Sequence, residues 1–276
     1  MPQVIDVDGA GDARLDDFRD LTTADRRPDR PGGRGLVIAE GVVVVQRMLR
    51  SPYPVRSLLG VRGRIEALGP DLAAYHGQDL PCYVTSAQTM ADVVGFHLNR
   101  GVLAVADRAP VPTLAELLAR AGPLCVLEGV GDHENLGSLF RNAAGLGVSG
   151  VVLGPGCSDP LYRRSVRVSM GHVLRVPFTR VTAWPDALGE LRAAGFRVLA
   201  LTPSADAVPL PAAVRPGERT AVLLGSEGHG LTAEAMAAAD ERVRIPMSGD
   251  VDSLNVATAA AIALYSVVSL PGITRD

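Results

Sequence analysis

The chain has 276 residues, room for two ordinary domains, and 47% of them are hydrophobic, enough for a packed core. Aromatic residues supply only 4%, so that core must be aliphatic, and all 27 cationic residues are arginine. A net charge of −3 and a pI near 6.0 exclude a chain that is basic throughout, so a phosphate-binding surface has to be a local arginine patch.

Met1 to about Gly35 is rich in Asp, Arg, Pro and Gly and lacks the apolar stretch of a secretory signal. Residues 1–34 read as a mobile arm with one short helix around Leu15 to Leu21. The arm's cationic centre, Arg26, Arg27, Arg30 and Arg34, reads as a solvated linker ahead of an RNA-touching arm. Order begins at Gly35 with the strand LVIA, the helix EGVVVVQRMLRS and the strand VRSLLG. A weak helix from Arg62 to Tyr75 follows, then the strand CYVT, the helix SAQTMADVV and the strand GVLAVA. This alternation predicts a small α/β domain over 35–108, suited to packing or recognition. The prolines of APVPT mark a boundary, and 109–122 reads as a linker and helix.

The alternation restarts more strongly over 123–276. The strand LCVLEG precedes a helix from Leu136 to Leu146, the strand Val151 to Gly154, a helix from Pro160 to about Met170 and a strand near Val173 to Val176. A helix from Trp184 to Ala194, the strands FRVLAL and TAVLLG, and a strand from Arg242 to Ile245 lead into a final Ala-rich helix. That pattern predicts a mostly parallel α/β domain, in which ligands gather beyond the carboxyl ends of the strands. The last helix is apolar on every face and belongs in a core or against another subunit. Its apolar run, Val256 to Leu270, is too short to span a membrane. Cys82, Cys125 and Cys157 lie far apart without CxxC or HExxH spacing. They predict neither a metal site nor a disulfide framework and suit a reducing cytoplasm.

Apolar strands in the second half empty into three polar, glycine-containing stretches: LEGVGDHENLGSLFRNAAGLG, LLGSEGHGL and IPMSGDVDSLNVATAAAIALY. Familiar nucleotide and hydrolase signatures do not account for them. GLGVSG follows a helix and precedes a strand, the reverse of a dinucleotide site, and no Walker or GxSxG sequence is present. Taken in order, NLGSLFRNAAGLG, LLGSEGHGL and IPMSGDVDSLNVATAAAIALY resemble the three motifs of the TrmH/SpoU family of RNA ribose 2′-O-methyltransferases, within the SPOUT superfamily. The likeness is strong from about Leu124 onward. It is looser from Leu36 to Ala106, where IAEGVVVVQRML and GVLAVA resemble the ribosomal-protein-like substrate-binding domain of many members.

The resemblance implies a SPOUT trefoil-knot domain, S-adenosylmethionine as cofactor, an RNA substrate and a homodimer. Carried onto this chain, it puts Gly225, Ile245 and Leu254 at the cofactor, with Leu224 and Met247 lining the adenine slot. Gly230, like Gly225, lets backbone approach a ligand closely. The catalytic set implied is Arg141 with Asn135, Glu227, Ser253 and Asn255 around it. Asn135 is also placed to cap the helix that carries Arg141. Arg163, Arg164 and Arg167 cluster at helical spacing and form the local basic patch expected to meet RNA. His133, His172 and His229 lack partner spacing and read as polar loop residues. The expected reaction is methyl transfer to a ribose 2′-hydroxyl, of ribosomal RNA ahead of transfer RNA. The rivals are a catalytically silent RNA-binding or ribosome-assembly protein of the same fold, and a SPOUT base methyltransferase.

Overall fold

The computed structural model describes residues 2–21, 35–77, 79–215, 217–248 and 251–268. In chain order it opens with β1 (Pro2–Asp6), a 3-10 turn (Ala13–Phe18), β2 (Val37–Glu40), α1 (Val42–Leu49), β3 (Val55–Gly60), α2 (Arg62–Glu66) and α3 (Gly69–Ala73). Next come β4 (Leu80–Val84), α4 (Ala87–Val94), β5 (Val102–Ala106), α5 (Leu114–Leu118), β6 (Leu124–Leu127), α6 (His133–Gly145) and β7 (Gly150–Leu153). The chain continues through α7 (Arg163–Val168), β8 (Phe178–Arg180), α8 (Asp186–Ala193), β9 (Arg197–Leu201), β10 (Val208–Pro209) and α9 (Leu210–Ala213). It closes with β11 (Thr220–Leu224), α10 (Ala233–Ala238), β12 (Glu241–Arg244) and α11 (Val256–Val268). Contacts group the chain into two compact units, Met1–Pro110 with Asp159–Arg175, and Val111–Ser158 with Val176–Asp276.

The first unit is built on a five-stranded mixed sheet, ordered β1-β4-β3-β5-β2. The expected mobile arm is corrected here. Pro2–Asp6 pairs in parallel with Leu80–Val84 as an edge strand, and Leu15, Phe18 and Leu21 are buried against Ile38, Leu59 and Met90. Asp12 accepts a hydrogen bond from the Arg14 backbone amide and starts the 3-10 turn, which gives an Asp-rich stretch one apolar face. The cationic residues Arg26, Arg27, Arg30 and Arg34 lie outside the described residues.

Residues 159–175, expected within the C-terminal domain, group with the first unit. Helix α7 buries Ser165 and Val166 and packs on β2. Arg108 pairs with Asp159, and Arg47 donates to the Met170 carbonyl. The strand expected near Val173 to Val176 is a 3-10 turn, His172–Leu174, and the strand, β8, comes only after Pro177. Met170 (φ 54°) and Gly171 (φ 82°) adopt left-handed conformations that turn the chain just before the apolar run HVLRV, so it cannot extend.

The second unit holds seven parallel strands in the order β10-β12-β9-β11-β6-β7-β8. The central strands are buried from end to end, which is why they read as unbroken apolar runs. Leu124, Val126, Val152, Leu188, Val198 and Leu223 belong to its core. The strand order sets the carboxyl ends of β12, β9, β11 and β6 side by side, so loops far apart in sequence meet at one edge. This is the α/β class with a mostly parallel sheet that the sequence predicts. The final helix is only half covered: Ala260, Ala263 and Leu264 are buried, whereas Ile262 is 38% and Tyr265 56% exposed. Among the described residues, no helix is long and apolar enough to cross a membrane.

Candidate cofactor and ribose site

The site begins where β11 ends. Between Leu224 and Thr232 the chain makes a tight glycine-rich loop in which Ser226 and Gly230 form an isolated bridge, the Gly230 amide donating to the Ser226 carbonyl at 3.1 Å. Gly228 (φ 89°) and Gly230 (φ 69°) sit in the left-handed region that favours glycine. Gly225 has a different reason: a Cβ there would lie 2.2 Å from the Gly230 carbonyl carbon and 2.4 Å from the Leu231 amide nitrogen. The loop closes on itself backbone to backbone.

Together with the segments after β9 and β12, this loop encloses a cavity of about 500 Å³, within the range of small-molecule sites. Leu224, Gly225, Gly230, Ile245, Met247 and Leu254 all line it, and Glu227, Ser253 and Asn255 add a polar side. The lining also includes Leu201, Thr202 and Pro203, which the sequence reading did not single out. Their signal was present: FRVLALTP is an apolar strand ending in a polar residue and Pro, at the same sheet edge as the glycine loop.

Asn255 joins the three stretches. Its Nδ2 donates to Asn135 Oδ1 at 2.8 Å and to Glu227 Oε1 at 2.7 Å. Its Oδ1 accepts from the Ala257 and Thr258 amides at 3.0 and 3.2 Å, which caps α11. Both ends of the amide are thus engaged. The cap of α6 is Asp132 rather than Asn135: Asp132 Oδ1 accepts from the Glu134 and Asn135 amides at 2.9 and 2.8 Å. Asn135 lies in the first turn of the helix, three residues after the cap, which leaves its side chain to reach Asn255. Helix α6 is fastened to α11 again by Asn142 Nδ2, which donates to the Ala257 carbonyl at 2.8 Å.

Arg141 is not part of the cavity lining. It is exposed in a groove on the outer faces of α6 and α11 with Leu146, Ile262, Tyr265 and Ser266, and none of the described residues forms an ion pair with it. The three arginines expected to form a basic patch sit in the first unit. Arg163 is held by Glu40 at 3.3 Å, with its guanidinium 4.8 Å from the Phe96 ring centroid, and its side chain is 18% exposed. Arg164 is exposed and Arg167 half-buried on the same helix.

Residues 123–265 match the model of the SpoU rRNA Methylase family. The chain belongs to that family. It is 58% identical over 264 residues to an uncharacterized tRNA/rRNA methyltransferase of Mycobacterium tuberculosis, covering 95% of this chain and 91% of that one. It is 28% identical over 261 residues to the 23S rRNA (guanosine(2553)-2′-O)-methyltransferase RlmP of Bacillus subtilis, covering 94% and 97%. Its fold matches the AdoMet-bound rRNA methyltransferase from Sinorhizobium meliloti with a TM-score of 0.78 at 25% identity, over 96% of this chain and 97% of that one.

In this SpoU-family chain the thiols take no part in the site. Burial pushes Cys125 up to about 12 and Cys82 up to about 11, and raises Cys157, so all three stay protonated at neutral pH. Among the described residues no group of His, Cys, Asp and Glu is arranged to hold a metal ion. The Asn255 hub makes a specific prediction. Asn255→Asp keeps the cap on α11 but replaces the Nδ2 donor with a charged oxygen facing Glu227 Oε1 and Asn135 Oδ1. The variant should fold with near-normal thermal stability and lose roughly tenfold or more in kcat/KM. Steady-state kinetics beside a thermal melt check both halves.

Proposed function

We propose that this chain methylates a ribose 2′-hydroxyl of RNA, with ribosomal RNA ahead of transfer RNA as substrate. S-adenosylmethionine is the cofactor; when bound it supplies an electrophilic sulfonium methyl. The observation that carries the reading is the convergence of three separated stretches, through the Glu227–Asn255–Asn135 link, beside one aliphatic-walled cavity. The cavity suits an adenosine moiety. Leu224, Ile245, Met247 and Leu254 offer flat apolar contact to a purine, and the backbone of the glycine loop offers hydrogen-bonding groups at close range.

The chain's own residues then have to align the hydroxyl, lower the cost of removing its proton and hold the neighbouring phosphate. In this reading Asn135, with its Oδ1 already engaged by Asn255, keeps its amide donor for the substrate. Ser253 lies exposed at the cavity's polar side, within the same segment as Asn255. Glu227 holds the loop geometry through Asn255 and takes no proton. Arg141 stabilises the developing alkoxide or grips the adjacent phosphate with its planar fork. Guanidinium groups do not give up their proton readily, so the role is electrostatic. Arg167 is proposed to touch the RNA backbone; the Glu40 pairing and the Phe96 ring favour a positioning role for Arg163, and Arg164 extends the same helix face. The target and the absence of a membrane-spanning helix among the described residues fit action in the cytoplasm.

A homodimer completes the proposal. Ile262 and Tyr265 are exposed apolar groups beside Arg141, and pairing through α6 and α11 would cover them and put Arg141 at the seam next to a substrate. Tyr265→Glu should weaken self-association by roughly a hundredfold, as expected for a buried aromatic anchor, and lower activity in parallel. Sedimentation velocity across micromolar concentrations measures this, and a wild-type chain that remains monomeric contradicts it.

The substrate is tested by mapping ribose methylation in ribosomal and transfer RNA from a deletion strain and its complemented counterpart. Loss of a single 2′-O-methyl in ribosomal RNA, restored by the gene, is the expected result. An unchanged ribose map with a missing base methyl favours the base-methyltransferase rival, and unchanged maps of both favour the silent scaffold.

A further inference from the structure

Glu128 stands at the end of β6 and is only 4% exposed. A buried carboxylate is costly unless donors surround it, and none of the described residues forms an ion pair with this one. It has three donors. Trp184 Nε1 reaches Oε1 at 2.6 Å, Thr232 Oγ1 reaches Oε1 at 2.8 Å, and the Thr232 backbone amide reaches Oε2 at 2.9 Å. The backbone amide of Glu128 meanwhile donates to the Leu224 carbonyl at 2.9 Å.

Leu224 and Thr232 bracket the glycine loop, which contributes Gly225, Ser226, Glu227, Gly228 and Gly230 to the cavity. One residue therefore holds both ends of that loop, its amide at the start and its carboxylate at the finish. Thr232 Oγ1 also accepts from the Ala235 amide at 3.2 Å, so the hydroxyl that meets Glu128 starts α10 as well. The next residue, Gly129, lies so near the loop that an added Cβ would come within 3.1 Å of Ser226 Cβ, tighter than ordinary packing.

We propose that Glu128 is a positioning residue for cofactor binding, a clasp that fixes the span of the loop from Gly225 to Leu231. The inference rests on the function proposed above and adds a residue that touches neither cavity nor substrate. The carboxylate is specific to the task. Glutamine at 128 has one acceptor oxygen for the indole and the hydroxyl, and its amide hydrogens would then face the Thr232 N–H. Aspartate is one methylene too short to reach Thr232 from the same backbone position.

The test measures adenosylhomocysteine binding by calorimetry in the absence of RNA, then KM for S-adenosylmethionine and kcat with RNA. Glu128→Gln, checked for folding by circular dichroism, should weaken adenosylhomocysteine binding by about tenfold or more. Its KM for the cofactor should rise by a like factor while kcat at saturating cofactor stays within about threefold. Thr232→Val should follow Glu128→Gln, and Thr232→Ser, which keeps the hydroxyl, should bind like the wild type. Trp184 is the chain's single tryptophan, so intrinsic fluorescence should change when adenosylhomocysteine binds, and Glu128→Gln should shift the resting emission. Wild-type affinity in a folded Glu128→Gln, or in Thr232→Val, overturns the clasp, as does a fall in kcat with KM unchanged. If Glu128→Gln does not fold, the comparison of Thr232→Val with Thr232→Ser decides. A wild-type chain that binds adenosylhomocysteine and follows this pattern in the variants, yet methylates no RNA, overturns the proposed reaction and leaves the clasp supported.

Discussion

Arg141→Lys is expected to lower kcat for RNA methylation by roughly a hundredfold while leaving the affinity for adenosylhomocysteine unchanged. The two halves follow from where the residue sits. The cavity is lined by the ends of β9, β11 and β12 and the segment entering α11, whereas Arg141 lies in the groove with Ile262 and Tyr265. Removing its fork should not disturb a cofactor held by the glycine loop. Lysine keeps the charge but offers a point where a phosphate or alkoxide meets a planar pair of donors, so the loss should fall on kcat. Sedimentation of the same variant guards against a trivial cause, because Arg141 shares its groove with the proposed dimer face. Near-normal turnover in a dimeric Arg141→Lys would remove the residue from its assigned role.

Gly225→Ala should reduce cofactor affinity by roughly a hundredfold, at a stability cost of about 1–3 kcal/mol. The added methyl meets the Gly230 carbonyl carbon and the Leu231 amide nitrogen, and both are backbone atoms that cannot swing aside as a side chain would. Relief requires the loop to open, and an open loop withdraws Gly225, Glu227 and Gly230 from the cavity together. Gly189→Ala is the matched control. It lies on the exposed face of α8 with nothing within 4 Å of the added methyl, and should leave binding untouched and stabilise the helix by up to about 1 kcal/mol. Calorimetry with adenosylhomocysteine on both variants separates a local effect of the loop from a general effect of replacing glycine.

The legible parts of this sequence were those whose signal is local. Buried parallel strands announce themselves as apolar runs, and two of the loops of interest begin where such a run meets glycine and polar residues, at Leu127-Glu128 and Leu224-Gly225. The final helix was legible from its unbroken Ala-rich run, and the structure shows Asn255 capping it. The cap of α6 was not legible: Asp132 and Asn135 are both good capping residues, and only the path of the loop leaving β6 decides between them. Other features depend on partners distant in sequence. The Arg163–Glu40 pair joins residues 123 positions apart, and without it three arginines at helical spacing look like a free basic stripe. Pro2–Asp6 becomes a strand only because Leu80–Val84 offers an edge to it. Glu128 resembled the unremarkable end of a strand, since nothing near it in sequence foretells Trp184 or Thr232 as donors.

The most direct test of the central claim is transfer from methyl-labelled S-adenosylmethionine to RNA by the purified full-length chain. Complete digestion and mass analysis of the nucleosides would then locate the label. The account predicts label on a 2′-O-methylnucleoside and, in a parallel alkaline hydrolysate, in a dinucleotide that alkali cannot cleave because the blocked 2′-oxygen no longer attacks the neighbouring phosphate. Label on a base nitrogen or carbon, or none on any ribosomal or transfer RNA despite saturation with cofactor, would contradict it.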